Sequence, residues 1–308
     1  MRALLVTNRA SGSSAVDLAT PLALLQEHGI EVLRVAPANP DDVAATIMRY
    51  ADEVAMTIVG GGDGTLNCAA PALLDVGKPF AVFPMGTAND FARTLEIPTD
   101  PTDAARVICQ GRKRRIDLGV VNGRPFFNVA SLGLSSEIAR YHRGERKRRL
   151  KLMSYPLSWI DAYRSHRPLK VALDIDGKRH KIRCTQLAVG NGKHYGGGLT
   201  VSEESDIDDG LLTLYYIKSA GLWDLLALLP ALKLGTLAKE RNAELYRGKS
   251  IELRTRKPQR INVDGELVAS TPAKFSVLPA ALEVFCPGPG GHPLLGSWFG
   301  GVDDAPVA

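Results

Sequence analysis

Two glycine-rich stretches place small, acidic and hydroxyl-bearing residues directly after apolar runs. The first, Gly60-Gly61-Gly62-Asp63-Gly64-Thr65, follows Met56–Val59 and leads to Asn67. A backbone this rich in glycine lets another group approach closely, and its N–H groups at a helix start are suited to binding phosphate. Asp63 would repel phosphate unless a cation such as Mg²⁺ lies between them. A tight strand-to-helix turn that binds nothing is the alternative.

The second stretch, Gly86-Thr87-Ala88-Asn89-Asp90, follows the next apolar run, Pro79–Pro84. Thr87 and Asn89 can hydrogen-bond a nucleotide, whereas Asp90 alone is more typical of a helix N-cap. Neither stretch has the spacing of the P-loop or of the dinucleotide fingerprint. Because the carboxyl ends of parallel strands meet at one edge of a sheet, we expect both stretches to line one crevice.

Two acidic turns lie in the second half of the chain. Asp206-Ile207-Asp208-Asp209-Gly210-Leu211 has three carboxylates in four residues, which suits a bound cation but also a solvated turn. Asn262-Val263-Asp264-Gly265-Glu266 closely matches Asp174-Ile175-Asp176-Gly177-Lys178. The local pattern therefore does not distinguish a catalytic turn from a structural one.

The first third of the chain alternates short apolar runs with amphipathic segments, which predicts a parallel, doubly wound α/β sheet. Strands are expected at Ala3–Thr7, Glu31–Ala36, Met56–Val59 and Pro79–Pro84, and helices at Ala15–His28, Asp41–Tyr50 and Asn67–Leu74.

From about residue 115 the pattern favours antiparallel β structure. Strands are expected at Lys170–Asp174, Lys178–Arg183, Leu212–Tyr216, Ser250–Arg254, Arg260–Asp264, Glu266–Val268 and Ala281–Phe285, with helices at Tyr155–Ser165 and Leu222–Lys239. The predicted domains are 1–118 (α/β), 119–286 (β-rich) and a Gly/Pro-rich tail at 287–308.

Composition narrows the class of protein. The 308 residues carry a formal net charge of +5, and no run of 18 apolar residues predicts a membrane span. The four cysteines are far apart, which argues against a zinc site or disulfide framework and fits a reducing cytoplasm. Arg140–Lys151 contains seven Lys or Arg residues and one Glu. It is either a solvated helix face or a surface for anionic lipid headgroups, and no nucleic-acid-binding module accompanies it.

Taken together, the two glycine-rich motifs resemble the diacylglycerol-kinase catalytic domain superfamily of bacterial lipid kinases and diacylglycerol, sphingosine and ceramide kinases. Further segments follow in the order of that family: Asn8–Gly12, Ile116–Gly119, Phe127-Asn128, Asn191 with Gly196–Gly198, Asp208–Leu211 and Asp264–Glu266. The resemblance implies an N-terminal α/β domain of phosphofructokinase type, a C-terminal antiparallel β-sandwich, and ATP bound between them.

The resemblance also implies residue roles. The nucleotide would be bound by Asn8, Gly61, Gly62, Asp63, Gly64, Thr65, Asn67, Gly86, Thr87, Asn89 and Asp90. Catalysis would use Glu266 as general base, with Asp264 and Asp63. A structural Mg²⁺ would be held by the Asp209 side chain and the backbone of Asp206 and Leu211, with Asp117 in the charge network between base and metal. Two positions depart from the family pattern: the chain has Val35-Ala36-Pro37 where the family commonly has a Thr near the nucleotide, and Cys68 where a Glu usually follows Asn67.

The expected function is ATP- and Mg²⁺-dependent phosphorylation of a membrane lipid, with diacylglycerol the favoured acceptor. Sphingoid bases, ceramide and phosphatidylglycerol stay open as acceptors, as do an NAD-kinase-type enzyme and a catalytically silent lipid-binding protein. We expect a cytoplasmic protein bound peripherally to the inner face of the plasma membrane, with no nucleic-acid partner. A homodimer is compatible with the sequence, and Leu222–Leu237 is expected either to enter the membrane interface or to pack in the core.

Overall fold

The computed structural model describes residues 1–7, 17–134, 136, 168–195, 199–200, 205–218, 236 and 240–288. Asn8, the basic stretch Arg140–Lys151 and the predicted helix Tyr155–Ser165 lie outside these residues. The predicted helix Leu222–Lys239 does too, except for residue 236, as does the tail beyond residue 288. Within the described part of the chain, no helix is both long and apolar enough to cross a bilayer.

The N-terminal lobe is the predicted doubly wound α/β domain. Its parallel strands run in the order β2-β1-β3-β4, and every residue of β3 and β4 is buried because helices cover both faces. The strands are β1 (Arg2–Thr7), β2 (Glu31–Val35), β3 (Met56–Gly61) and β4 (Phe80–Pro84). The helices are α1 (Ala19–Glu27), α2 (Asp42–Arg49), α3 (Asp63–Val76), α4 (Asp90–Thr94) and α5 (Pro101–Cys109).

The second lobe is antiparallel, as predicted. Its strands are β5 (Lys113–Val121), β6 (Arg124–Phe126), β7 (Val129–Gly133), β8 (Leu169–Ile175), β9 (Lys178–Gly190), β10 (His194–Tyr195), β11 (Leu199–Thr200), β12 (Leu212–Lys218), β13 (Ala243–Gly248), β14 (Ser250–Thr255), β15 (Arg260–Val263), β16 (Glu266–Ser270) and β17 (Ala273–Phe285). The two hairpin turns at Asp176-Gly177 and Asp264-Gly265 have positive φ at both of these central residues, which is the conformation that tight hairpins require.

Strand β17 joins the two lobes. It pairs antiparallel with β14 and β5, and its final residues lie parallel to β4 through Val284 and Phe80. One sheet of 15 strands therefore runs through both lobes. The predicted boundary between residues 118 and 119 falls inside β5, so the lobes share this strand as well as β17.

Two separate hydrophobic cores support the two lobes, and two consecutive phenylalanines, Phe126 and Phe127, are each buried in a different core. Phe127 packs in the N-terminal core with its ring 4.8 Å from that of Phe91, whereas Phe126 packs in the second core against Phe275. Fully burying such a side chain stabilises a fold by about 1.5–3 kcal/mol. The backbone after β6 is thereby fixed at the junction, which positions the next residue, Asn128.

Candidate active site

The two glycine turns pack directly against each other. A Cβ atom placed on Gly86 would lie 2.5 Å from the Cα of Gly62, so the backbones touch where side chains would keep them apart. The Met85 N–H also donates to the Gly61 carbonyl at 2.9 Å. The structure therefore brings both predicted motifs to one edge of the sheet.

Helix α3 begins at Asp63, four residues before the predicted start at Asn67. The prediction was wrong because it treated the whole glycine motif as a turn, whereas Gly62 is the N-cap and its carbonyl accepts the first N–H groups of the helix, from Thr65 and Leu66. The last part of the motif is therefore the N-terminal turn of a 14-residue helix. A helix N-terminus carries partial positive charge and attracts anions.

Gly64 is a glycine that the fold itself does not require. It lies in the first turn of α3 and is not among the residues with positive φ. Apart from its chain neighbours and the backbone of its own helix, no atom of the described residues lies within 4 Å of the position that a Cβ would take. Alanine would favour the helix more at this position. We conclude that the missing side chain leaves the exposed helix N-terminus accessible to a ligand.

The Asp63 carboxylate caps the neighbouring helix α4. Its two oxygens accept the backbone N–H groups of Asp90 and Phe91, each at 3.1 Å. The N-cap of α4 is Asn89, in the left-handed region at φ 51°, rather than Asp90, which is the first helical residue and is buried. Asp63 thus fixes the second glycine turn relative to the first.

Asn89 closes its own turn. Its Oδ1 accepts the Gly86 N–H and its Nδ2 donates to the Gly86 carbonyl, both at 3.0 Å. The nucleotide contact predicted for Asn89 therefore competes with a structural role for both ends of its amide. Thr87, by contrast, is exposed at the tip of the turn.

Asn67 offers an unused donor. Its side chain lies one helical turn after Asp63, so both residues are on the same face of α3. The residue is 4% exposed, and its Nδ2 has no hydrogen-bond partner within the described residues. Leaving a buried N–H unpaired costs about 1–3 kcal/mol, which a ligand oxygen would recover.

Asn128 connects the glycine motif to the Asp264–Glu266 hairpin of the other lobe. Its Nδ2 donates to Asp63 Oδ1 at 3.2 Å, and its backbone N–H donates to Asp264 Oδ1 at 3.1 Å. The residue is 5% exposed. Sequence reasoning noted Asn128 within the family pattern but assigned it no role, because nothing near it in sequence indicates its partners.

Asp264 holds the loop that carries Asn128. Its carboxylate accepts the N–H groups of Phe127 and Val129 at 2.8 Å, in addition to that of Asn128. Burial, with a smaller contribution from the negative charge of Asp63, raises the pKa of Asp264 to about 7 against the opposing effect of these three donors. The structure thus gives Asp264, predicted to be catalytic, a positioning role.

Glu266 is the acidic side chain of this hairpin that stays available. It begins β16, is partly exposed, and lies 3.6 Å from the guanidinium of Arg124. The charge of Glu266 acts on Cys68 of α3. Burial is the largest cause of the raised pKa of the Cys68 thiol, and the negative charge of Glu266 is the second. Glu266 is therefore close enough to Cys68 for its charge to act on the thiol. Sequence reasoning missed Arg124, since an exposed arginine in a hairpin carries no distinguishing pattern.

Asp117 is buried and bonded to the backbone. Its oxygens accept the N–H groups of Gly210 at 2.6 Å and Ala280 at 2.7 Å, which ties β5 to the acidic turn and to a bulge in β17. The structure places Asp117 as an anchor for these segments. Its predicted place in a charge network between base and metal stays a prediction.

The acidic turn at residues 206–211 is balanced by arginines. Arg114 binds both oxygens of Asp208 at 2.6 Å and also contacts Asp206, and Arg247 lies 2.5 Å from Asp209. The oxygens of Asp209 additionally accept the N–H groups of Asp206 and Leu211.

This arrangement does not fit the structural Mg²⁺ that the resemblance implies. Two guanidinium groups offset two of the three carboxylate charges, and both Asp209 oxygens, which would coordinate the ion, already accept hydrogen bonds. Among the described residues, no three His, Cys, Asp or Glu side chains are grouped as metal ligands.

An α/β lobe with glycine-lined strand ends, joined through Asn128 to a hairpin of a β-sandwich lobe, has the architecture of a two-lobed phosphotransferase. Residues 2–121 match the diacylglycerol kinase catalytic domain, and residues 128–286 match the YegS C-terminal NAD kinase beta sandwich-like domain. The chain belongs to the diacylglycerol kinase family, and it is therefore a lipid kinase by family.

Curated relatives and solved structures agree with this assignment. The chain is 31% identical to a diacylglycerol kinase of Mycobacterium tuberculosis, over 92% of this chain and 94% of that protein. It is 28% identical to a diacylglycerol kinase of Staphylococcus carnosus, over 93% and 95% respectively. A Bacillus anthracis structure superposes with a TM-score of 0.81 at 25% identity, covering 94% of this chain and 98% of that one.

Proposed function

We propose that the protein transfers the γ-phosphate of ATP to a hydroxyl of a membrane lipid, and that diacylglycerol is the acceptor and phosphatidic acid the product. The observation that carries this proposal is the continuous connection Asp63–Asn128–Asp264, which joins the glycine-lined edge of one lobe to the hairpin that carries Glu266 in the other. A phosphate donor and an alcohol acceptor can meet at this junction.

The phosphates of the nucleotide, bound as its Mg²⁺ complex, would lie at the open N-terminus of α3. Gly64 leaves room for them, the helix dipole favours their charge, and Asn67 supplies a buried donor. Asp63 and Asn128 keep this edge in register with the second lobe. Phosphoryl transfer needs mainly positioning and charge stabilisation, which a rigid junction provides.

Glu266 would act as the general base. As the lipid hydroxyl oxygen forms its bond to the γ-phosphorus, the hydroxyl proton passes to Glu266 and the bond to the β-phosphate oxygen breaks, releasing ADP. Arg124 orients the Glu266 carboxylate through their 3.6 Å ion pair.

The acceptor assignment is tested with labelled ATP and a panel of candidate acceptors. Diacylglycerol, ceramide, sphingosine and phosphatidylglycerol are presented in vesicles, and NAD is presented in solution as the soluble alternative. We expect label in phosphatidic acid, and we expect Asp63→Asn to lower the transfer while the exposed Asp52→Asn does not. Label only in another lipid would overturn the choice of acceptor, and label only in NAD would overturn the lipid-kinase proposal.

Membrane association at the inner face of the plasma membrane is also part of the proposal. Arg140–Lys151 supports it by charge, although this stretch lies outside the described residues. Separation of cell membranes from cytosol, with and without a high-salt wash, tests it. A protein held by charge is recovered with the membranes and released by salt.

A further inference from the structure

A strongly basic surface covers the outer face of four strands in the second lobe. The register of β9, β8, β14 and β17 alternates buried apolar residues with outward polar ones, so the outward residues form rows across the sheet. Seven exposed cations belong to this surface, which we call the basic sheet face: Lys170, Arg179, Lys181, Arg183, Arg254, Arg256 and Lys274.

Acidic neighbours leave most of this charge unbalanced. Asp174 pairs with Arg179 at 3.5 Å, and Glu252 pairs with Arg254 at 3.6 Å and Lys274 at 3.7 Å. Within the described chain, the other four cations have no carboxylate in ion-pair range. Seven cations and two carboxylates give the face a net charge of +5, equal to the formal net charge of the whole protein.

The shape of the face suits an extended anionic surface rather than a single small ligand. Lys170, Lys181, Arg183, Arg254 and Arg256 line an open groove of about 550 Å³. Outward side chains on one strand stand roughly 7 Å apart and neighbouring strands about 4.8 Å apart, so the cations form a flat array. Such an array can contact many phosphates at once.

We propose that the basic sheet face docks on a bilayer rich in anionic lipids. The proposal rests on the proposed lipid-kinase function, which requires the enzyme to reach an acceptor dissolved in a membrane. Among the described residues, no aromatic side chain on which bases could stack belongs to this face, which disfavours single-stranded nucleic acid as the partner.

The face is also connected to the candidate active site. Arg256 follows β14 directly, and residues 257–259 lead from it into β15, whose far end carries the Asp264–Glu266 hairpin. Because β15 has only four residues, it spans roughly 13 Å. A protein docked through this face would therefore hold Glu266 near the membrane surface.

Vesicle co-sedimentation tests the docking surface without depending on catalysis. The full-length protein is mixed with phosphatidylcholine vesicles that either contain or lack phosphatidylglycerol, at low and high salt. The test variant is Lys181→Glu with Arg183→Glu. The matched control, Arg49→Glu with Arg115→Glu, changes the net charge equally at exposed residues outside the basic sheet face.

We expect the test variant to bind the anionic vesicles at least about 25-fold more weakly than wild type, since each basic residue near such a surface is worth roughly fivefold in affinity. The control should stay within about threefold of wild type, because charge distant from the membrane is screened. An equal loss in both variants would show a non-specific effect of net charge and would overturn the proposal. Unchanged vesicle binding in the test variant would also overturn the proposal. If that variant instead lost binding to single-stranded DNA, measured alongside, the partner of the face would be nucleic acid.

A transfer assay in neutral detergent micelles separates this proposal from the proposed function. Lys181→Glu with Arg183→Glu should keep wild-type transfer there, because docking is not needed, and reduced transfer would contradict a role confined to docking. If wild type binds anionic vesicles through the face but phosphorylates no lipid, the proposed function fails and the docking surface stands.

Discussion

The cross-lobe bond made by Asn128 gives the most specific prediction. In Asn128→Asp a carboxylate oxygen replaces the donor that lies 3.2 Å from Asp63 Oδ1. At an effective dielectric constant of 20, two like charges at that separation repel by about 5 kcal/mol. In Asn128→Ala the donor is only lost, which removes a charge-assisted hydrogen bond worth about 1.5–3 kcal/mol.

These free energies set the expected loss of activity. If the bond serves to align the two lobes, Asn128→Ala should lower kcat about 10- to 150-fold. The KM for ATP should change less, because Asn128 hydrogen-bonds to Asp63, whereas Gly64 and Asn67 are the residues proposed to receive the phosphates. Asn128→Asp should lose more at pH 8 and recover part of the loss at pH 5–6, since protonation of the coupled carboxyl pair removes the repulsion.

Steady-state transfer from labelled ATP to diacylglycerol, at several pH values, measures both effects once circular dichroism shows folded protein. The control is Asn39→Ala, because Asn39 Nδ2 also donates to an aspartate, at 3.1 Å, but on the exposed surface. We expect the control to retain wild-type kcat. Wild-type kcat in Asn128→Asp at pH 8 would refute the reasoning.

Further predictions concern the two glycine turns, Asp264 and the acidic turn at residues 206–211. Gly64→Ala should raise the unfolding free energy by about 0.5–1 kcal/mol, because alanine favours the helix, yet it should also raise the KM for ATP. Gly86→Ala should instead destabilise the fold by about 1–3 kcal/mol through its contact with Gly62. Chemical denaturation and kinetics check both variants, and an unchanged KM in Gly64→Ala would contradict an open ligand site. The pKa of Asp264 is about 7 in the folded protein against an ordinary value of 3.8, so the contribution of this side chain to stability declines as the pH rises from 4 to 7. The difference in unfolding free energy between wild type and Asp264→Asn should therefore narrow by up to about 4 kcal/mol over that range. If the two plots of unfolding free energy against pH are parallel, the three N–H donors offset burial. Arg247→Gln should lower Tm, because it removes the ion pair with Asp209. Mg²⁺ added without nucleotide should leave the Tm of wild type unchanged. A rise in Tm on adding Mg²⁺ would contradict the conclusion that arginines, and not a metal ion, pair with the acidic turn.

Local patterns predicted the four strands of the N-terminal lobe and the Asp-Gly hairpins, which depend on neighbours in sequence, but they did not predict α5, β7 or β13. The strands of the N-terminal lobe follow from buried apolar runs, and the Asp-Gly hairpins follow from the positive φ that their turns require. The return of β17 to β4 involves one pair of residues, Val284 and Phe80, far apart in the chain. No local periodicity encodes that contact.

The candidate site shows the same limit more sharply. Asp176 and Asp264 occupy nearly identical turns, at φ 47° and 45°, and each carboxylate accepts backbone N–H groups from another segment. Asp176 binds Lys249 and Ser250 within the β-rich lobe, whereas Asp264 binds the loop that carries Asn128. Only tertiary packing distinguishes the two hairpins. The family resemblance selected the second copy, which the structure connects to the glycine motif.

Single-turnover transfer by Glu266→Gln tests most directly whether a carboxylate from the second lobe acts on phosphates held by the first. The variant keeps the size of the side chain but cannot accept the hydroxyl proton as a carboxylate does. With saturating labelled ATP and diacylglycerol, we predict a rate about 10²- to 10⁴-fold below that of wild type, with ATP affinity unchanged. Transfer at the wild-type rate would contradict the proposed site.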